Sequence, residues 1–146
     1  MINFDALRIA VRTRLLADAT LLTLIGDIYA GSIPDDATWD LPNLEMGVAD
    51  QRRNDMTGYT RRSERILLRL KAVDQGGAGY GDYGRCYAAL VQAEAVLLAT
   101  PLTVPGMAVV DQRFDSAIPE RMPADERGVL WPQVGRLYRY IVDSVP

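Results

Sequence analysis

Asn43-Leu44-Glu45-Met46-Gly47-Val48-Ala49-Asp50-Gln51 and, after a polar break, Arg62-Ser63-Glu64-Arg65-Ile66-Leu67-Leu68-Arg69-Leu70-Lys71-Ala72-Val73-Asp74 decide the fold. In the first run Leu44, Met46 and Val48 fall on one side, with Glu45, Ala49 and Gln51 on the other. That period of two is the mark of a half-buried strand. The second run repeats it, setting Ile66, Leu68, Leu70 and Ala72 against Arg65, Arg69 and Lys71. Positions 66, 67, 70 and 73 also suit a helix. The glycine-rich stretch Gly76 to Gly84 follows at once, however, and an alternating partner precedes, so strand is the better reading. The link between the runs, Arg52-Arg53-Asn54-Asp55-Met56-Thr57-Gly58, has turn chemistry and makes the pair a hairpin.

Working back from this hairpin, Ser32 to Pro42 forms a loop bounded by Pro34 and Pro42, preceded by Ile28-Tyr29-Ala30. Earlier still, Phe4, Leu7, Val11 and Leu15 recur every three or four residues, which predicts a helix capped by Asn3 or Asp5. Asp18 caps a second, short helix through Leu21, Leu22, Leu24 and Ile25, closed by Gly26. Forward of the hairpin, a helix is expected from about Asp82 to Ala99, with Tyr83, Tyr87, Leu90, Leu97 and Leu98 toward the core. Pro101 and Pro105 end it. Met107 to Phe114 reads as a strand and Ala117 to Gly128 as a charged loop carrying Pro119 and Pro123. Val134 to Val142 is the last strand, with Tyr138, Tyr140 and Val142 on one face and Leu137 and Ile141 on the other. The expected class is α+β: a mainly antiparallel sheet of about four strands with two or three helices packed on one face. At 146 residues the chain fits a single domain spanning 1–146.

Composition narrows the chemistry. The chain has no histidine, which removes the commonest general base, the commonest metal ligand and the usual partner of a serine or cysteine nucleophile. Ser32, Ser63, Ser116 and Ser144 are the serines and Lys71 the lysine, and none stands in a Gly-x-Ser-x-Gly or Ser-x-x-Lys context. No catalytic residues, cofactor or metal are expected, and the chain is read as a non-enzyme. Its net charge of −3, from 19 acidic and 16 basic side chains, is not the signature of a nucleic-acid binder. No apolar run approaches the roughly 20 residues that span a bilayer. The N-terminus lacks the cationic-then-apolar pattern of a secretory leader, so none is expected. The one cysteine, Cys86, has no partner for an internal disulfide, which suits a reducing compartment, and packs as a small hydrophobe.

Three constellations have rival readings. Gly79-Tyr80-Gly81-Asp82-Tyr83-Gly84 is a literal G-x-G-x-x-G before a helix, with Asp111 downstream where a ribose-binding acid would stand. The strand before it carries Arg65, Arg69 and Lys71, however, whereas a dinucleotide sheet is covered on both faces, so a loop opening a helix is the better account. Arg52-Arg53 and Arg61-Arg62, with Asp55 between, flank the hairpin turn. They are a solvated tip, salt bridges to a neighbouring subunit, or phosphate contacts, the last diluted by Asp55 and Glu64. Asp35-Asp36 and Asp125-Glu126 supply oxygen ligands that would suit a hard cation, but paired loop carboxylates are common without one.

The element order and several local patterns resemble the tail terminator (tail completion) proteins of long-tailed bacteriophages. The resemblance runs from the first helix, Phe4 to Ala17, through Leu41-Pro42-Asn43-Leu44-Glu45-Met46 and the polar hairpin. It extends to Asp125-Glu126-Arg127-Gly128-Val129-Leu130-Trp131 and Leu137-Tyr138-Arg139-Tyr140-Ile141-Val142. The glycine cluster Gly76 to Gly84 is longer than that pattern. The resemblance implies a structural subunit in the neck end of the virion tail, assembled in the host cytoplasm. It implies a homohexameric ring that terminates the tail tube and joins it to head-completion (neck) proteins, with DNA passing through the lumen without specific binding and no membrane involved. Six copies at −3 give a ring of about −18, which repels DNA. Contacts to neighbouring subunits and to the tube map onto Arg52, Arg53, Asp55, Arg61 and Arg62, with Asp125 and Glu126 as their acidic partners. The alternatives are another neck or head-closure ring subunit, or a small nucleotide-binding module on the Gly79 to Gly84 loop.

Overall fold

The computed structural model describes residues 4–54, 63–76 and 83–144. The chain opens with α1 (Phe4–Leu16), whose Leu7, Val11 and Leu15 are fully buried at the four-residue spacing of one helix face. Asp18 then caps α2 (Ala19–Leu22) by accepting a 2.8 Å hydrogen bond from the Leu21 amide. The same carboxylate oxygen accepts from Gln92 Nε2 at 2.9 Å, which ties α2 to the third helix. The expected closure at Gly26 is corrected: α2 ends at Leu22 with Thr23 as its C-cap. Gly26 serves close approach instead, since a Cβ there would lie 2.6 Å from Asn43 Oδ1.

Five strands, β1 (Ile28–Ala30), β2 (Asn43–Asn54), β3 (Ser63–Val73), β4 (Met107–Arg121) and β5 (Gln133–Ser144), form one sheet in the order β1-β2-β3-β5-β4. The expected α+β class holds, with a fifth strand added to the expected four. That strand, β1, pairs parallel to β2 with Ile28 opposite Leu44, and three residues are too short for alternation to announce it. Buried Asn43 fixes the junction: its Oδ1 accepts from the Asp27 amide at 3.0 Å and its Nδ2 donates to the Thr38 carbonyl at 2.9 Å. The β2–β3 hairpin is antiparallel as expected, from Asn43↔Val73 to Asn54↔Ser63, with one bulge between Val48 and Asp50. Ile66, Leu68, Leu70 and Ala72 are all buried, as the alternation requires.

The helix α3 (Gly84–Leu98) lies against β3 and β5, and α1 packs against α3, so the helices cover one sheet face. Its buried stripe is Cys86, Ala89, Leu90, Ala93 and Leu97. Small residues at three of these positions let the helix lie close to the sheet. Tyr87, expected in the core, is exposed and donates its hydroxyl to the Glu120 carboxylate on β4, a bond that raises its pKa. Tyr83 and Leu98 are half-buried. The core closes with Tyr138, Tyr140 and Val142 from β5, all fully buried.

The charged loop expected over 117–128 is corrected in its first half, because β4 continues to Arg121. Register shifts at Val109/Asp111, Phe114/Ser116 and Ile118/Arg121 interrupt the alternation that would have revealed it. Pro119 sits at the last of these, on an edge strand, where a missing amide costs no ladder bond.

Candidate assembly surface

The sheet face turned away from the helices is rich in charge, and the 32–39 loop and the turn at Asp125 share a cleft with one end of it, at Glu45 and Lys71. In register, Arg52 stands opposite Arg65, and Arg113 opposite Arg139. Like charges placed directly across strands repel. Three carboxylates offset this: Asp50 pairs with Arg52 (2.9 Å) and Arg65 (3.6 Å), Glu45 with Arg69 (3.5 Å) and Lys71 (3.6 Å), and Asp111 with Arg113 (2.8 Å). Arg139 makes no hydrogen bond or ion pair among the described residues, and its Nε is shielded from solvent. Leu67, Leu137 and Ile141 are half-buried between these cations. Gly47 leaves room for one of them, because a Cβ there would lie 3.1 Å from Arg69 Nη2.

The sheet has two free edges. The short one, β1, is guarded by α1: Arg12 Nε donates to the Ile28 carbonyl at 3.2 Å, and Arg12 Nη2 lies 3.3 Å from Asp27 Oδ1. The long one, β4, carries exposed Val110 and Phe114 and is guarded by its bulges and by Pro119. A third feature lies on the helical side, an apolar groove of about 490 Å³ among Ile9, Ala10, Ala17, Leu102 and Pro105.

Those of the residues singled out in the sequence that the structure describes occupy two ends of the sheet. Arg52 lies at the far end of β2, with its side chain 68% exposed and held by Asp50. Arg53 follows it in β2, where its backbone pairs with Glu64. Asp55, Arg61 and Arg62, like the Gly79 to Asp82 part of the glycine motif, lie outside the described residues. Glu64 is buried and accepts from Gln51 Nε2 at 2.6 Å, on the same side of β3 as the core residues Ile66 and Leu68. Asp125 and Glu126 sit beyond the start of β5, at the opposite end. Within one copy they do not meet Arg52.

Asp125 is the hub of its own turn. Its Oδ1 accepts from the amides of Arg127 (2.8 Å) and Val129 (3.0 Å), and its Oδ2 from Arg127 Nη2 (3.2 Å) and Trp131 Nε1 (3.2 Å). Desolvation pushes the carboxyl pKa up, but these bonds, led by the Trp131 indole, outweigh it and hold it below the ordinary carboxylate value. Gly128 at φ +78° supplies the left-handed residue that this turn needs. The bridge Ala124↔Leu130 closes the turn. Trp131 meets Trp39 edge to face, with ring centroids 4.7 Å apart. Together the 32–39 loop, this turn, and Glu45, Lys71 and Gln133 line a cleft of about 780 Å³. Sequence reasoning missed it. The available signal was that both tryptophans of the chain stand in proline-bearing loops, each next to paired acids.

No group of three or more metal-ligating side chains occurs among the described residues. The surface is one of edges, charges and a cleft, suited to assembly. A family model described as tail completion protein gp17 matches residues 9–133. The chain belongs to the tail completion protein gp17 family. It is a structural subunit of the tail end of a virion, as that family describes. Two solved structures are similar to it. One is a chain of the virion of a native gene transfer agent particle, 15% identical over 94% of this chain and 95% of that one, with a TM-score of 0.64. The other is the gp17 protein of bacteriophage SPP1, 14% identical over 97% of this chain and 90% of that one, with a TM-score of 0.55. Both show the fold. No curated protein matches the chain by sequence.

Proposed function

We propose that this tail completion subunit closes into a ring, a homohexamer, that caps the tail tube, stops its growth and offers a surface to head-completion proteins. Its role is structural and non-catalytic, and DNA passes through the ring without specific binding. The observation that carries the reading is the family match over residues 9–133. Two features of the surface support it. The long β4 edge and much of the cation-rich sheet face are left open by the described residues, and closed head-to-tail assembly uses up such surfaces. An apolar groove with Thr13, Arg14 and Thr103 in its lining also matches the apolar-centre, polar-rim layout of stable interfaces.

The direct test combines purified subunit with polymerising tail tube protein. Native mass measurement of the subunit should give a closed ring, and electron microscopy should show tubes of limited length with a ring at one end. A subunit that stays monomeric in the presence of tubes and leaves their length distribution unchanged would refute the reading.

A further inference from the structure

We infer that Arg139, in the middle of the outward sheet face, takes its counter-ion from a second copy, whose Asp35-Asp36 turn docks against it. The inference rests on the reading that this chain assembles with itself, and it names the two surfaces that meet.

Charge is the first argument. Arg139 on β5 stands directly opposite Arg113 on β4 and Leu67 on β3, with Arg65 and Arg69 diagonal to it on either side of Leu67. Cβ atoms directly across strands lie about 5 Å apart and diagonal ones within about 8 Å, so three arginine side chains ring a fourth. Each of the three is engaged by a carboxylate of the same chain, Arg65 by Asp50, Arg69 by Glu45 and Arg113 by Asp111. Asp50 and Glu45 are each shared with a second cation, Arg52 and Lys71. Arg139 has no such partner among the described residues, and its Nε is shielded from solvent without a hydrogen bond. Half-buried Leu67, Leu137 and Ile141 surround it with apolar surface. A carboxylate brought here displaces water from a cation already partly desolvated, the setting in which a charge pair across an interface counts most.

The second argument is that the chain itself carries a matching group. The Ala37 amide donates to the Pro34 carbonyl at 3.1 Å, closing a turn with Asp35 and Asp36 at its tip. Both are exposed, and neither carboxylate makes an ion pair or hydrogen bond among the described residues. Carboxylates side by side on a projecting tip suit a guanidinium, whose donors form a rigid fork. Within one copy the two groups do not meet. Asp35 lines a cleft with Lys71, which lies four residues along β3, roughly 13 Å, from Leu67 opposite Arg139. A contact between two different surfaces of identical chains is heterologous, and it closes into a ring when the rotation between copies permits.

The experiment uses the full chain and two charge reversals, Arg139→Glu on the face and Asp35→Lys with Asp36→Lys on the turn. Circular dichroism verifies the fold of each, and native mass spectrometry reads the assembly. Either reversal alone should weaken self-assembly by about 30-fold, the loss of one interface hot spot. An equimolar mixture of the two should assemble again, because the unaltered face of one meets the unaltered turn of the other and the two reversed surfaces also match. Arg139→Gln is the milder face variant. It removes a charge that Arg65, Arg69 and Arg113 repel, so the urea midpoint of the dilute monomer should stay unchanged or rise while assembly still weakens. A lower midpoint would show that the guanidinium is satisfied within its own chain and would overturn the inference. Reversals that assemble like the parent would also overturn it, leaving the ring reading intact. A mixture that fails to recover would overturn the pairing of this face with this turn. A parent that forms no oligomer at any concentration, alone or with tube protein, would overturn both readings.

Discussion

Replacing Tyr140 by phenylalanine should stabilise the subunit. Tyr140 lies on β5, fully buried between Ile66 and Gln112 in register, and its hydroxyl has no hydrogen-bond partner among the described residues. A hydroxyl taken from water without a compensating bond costs about 1–3 kcal/mol. Deleting the oxygen recovers that cost and leaves a void of roughly 15 Å³, worth about 0.4 kcal/mol at about 24 cal/mol per Å³. The net expectation is a gain near 1 kcal/mol, or a midpoint about 4 °C higher for a chain of this size. A second readout is alkaline. Burial raises the Tyr140 pKa far above its ordinary value, with Arg14 a smaller opposing influence. The folded state therefore resists ionisation: the parent's stability is intact below about pH 10 and falls as pH rises from there toward the folded pKa. The Tyr140→Phe variant should lose less on that limb. Tyr138, whose pKa is also raised by burial and by Glu94, and Tyr87, raised by its bond to Glu120, contribute to the remaining loss. Thermal unfolding at pH 7, and urea unfolding between about pH 8 and 10.5, measure both. A Phe variant less stable than the parent by more than about 0.5 kcal/mol would refute the reasoning, because it would show that the hydroxyl is satisfied.

Other perturbations probe the sheet, the loop junctions and the turn. Gly135→Ala should cost about 1–3 kcal/mol by forcing β4 away from β5, since the new Cβ would lie 2.8 Å from Ile118 Cδ1; differential scanning calorimetry that shows no change would contradict the close packing there. Asp74→Asn should weaken the tie between the end of β3 and the start of α3, where Arg85 Nε lies 3.1 Å from Asp74 Oδ2 and Arg85 Nη2 donates to the Asp40 carbonyl. Because Arg85 is partly exposed, about 1–2 kcal/mol is expected rather than the larger cost of a fully buried pair, and a midpoint in urea equal to the parent's would refute it. The lowered pKa of Asp125 means that its stabilising bonds are present above the ordinary carboxylate range and lost as pH falls through the depressed value. Tryptophan fluorescence should therefore shift on acidification in the parent but not in Asp125→Asn, and identical acid profiles would count against the turn's role. Truncating Leu68 to alanine at the centre of the core should cost about 2–5 kcal/mol without altering the interface chemistry, so assembly should fall only as far as folding does.

The alternation in 43–51 and 62–74 determined the hairpin and its buried face, because a period of two leaves one consistent way to put Leu44, Met46, Ile66, Leu68 and Leu70 in the core. The first helix, the cap at Asp18, the burial of Cys86 and the inward face of the last strand were equally legible, each set by interactions within a few residues. What the sequence left open depends on neighbours distant in the chain. β1 is a strand only because β2 is there to pair with it, and the second half of β4 exists because β5 supplies its ladder across three register shifts. Tyr87 points outward because small residues at Ala89 and Ala93 let α3 settle on the sheet by another stripe. The assembly surface divides along the same line. Arginines around the hairpin and acids at 125 and 126 are visible as charge clusters in one dimension. Only the tertiary structure shows that Asp125 is consumed by its own turn, that Glu64 is buried, and that Trp39 and Trp131, 92 positions apart in the numbering, meet at 4.7 Å to form one cleft. Local periodicity reports which side of an element is buried; which elements come together is fixed by long-range packing, and that is where this surface is made.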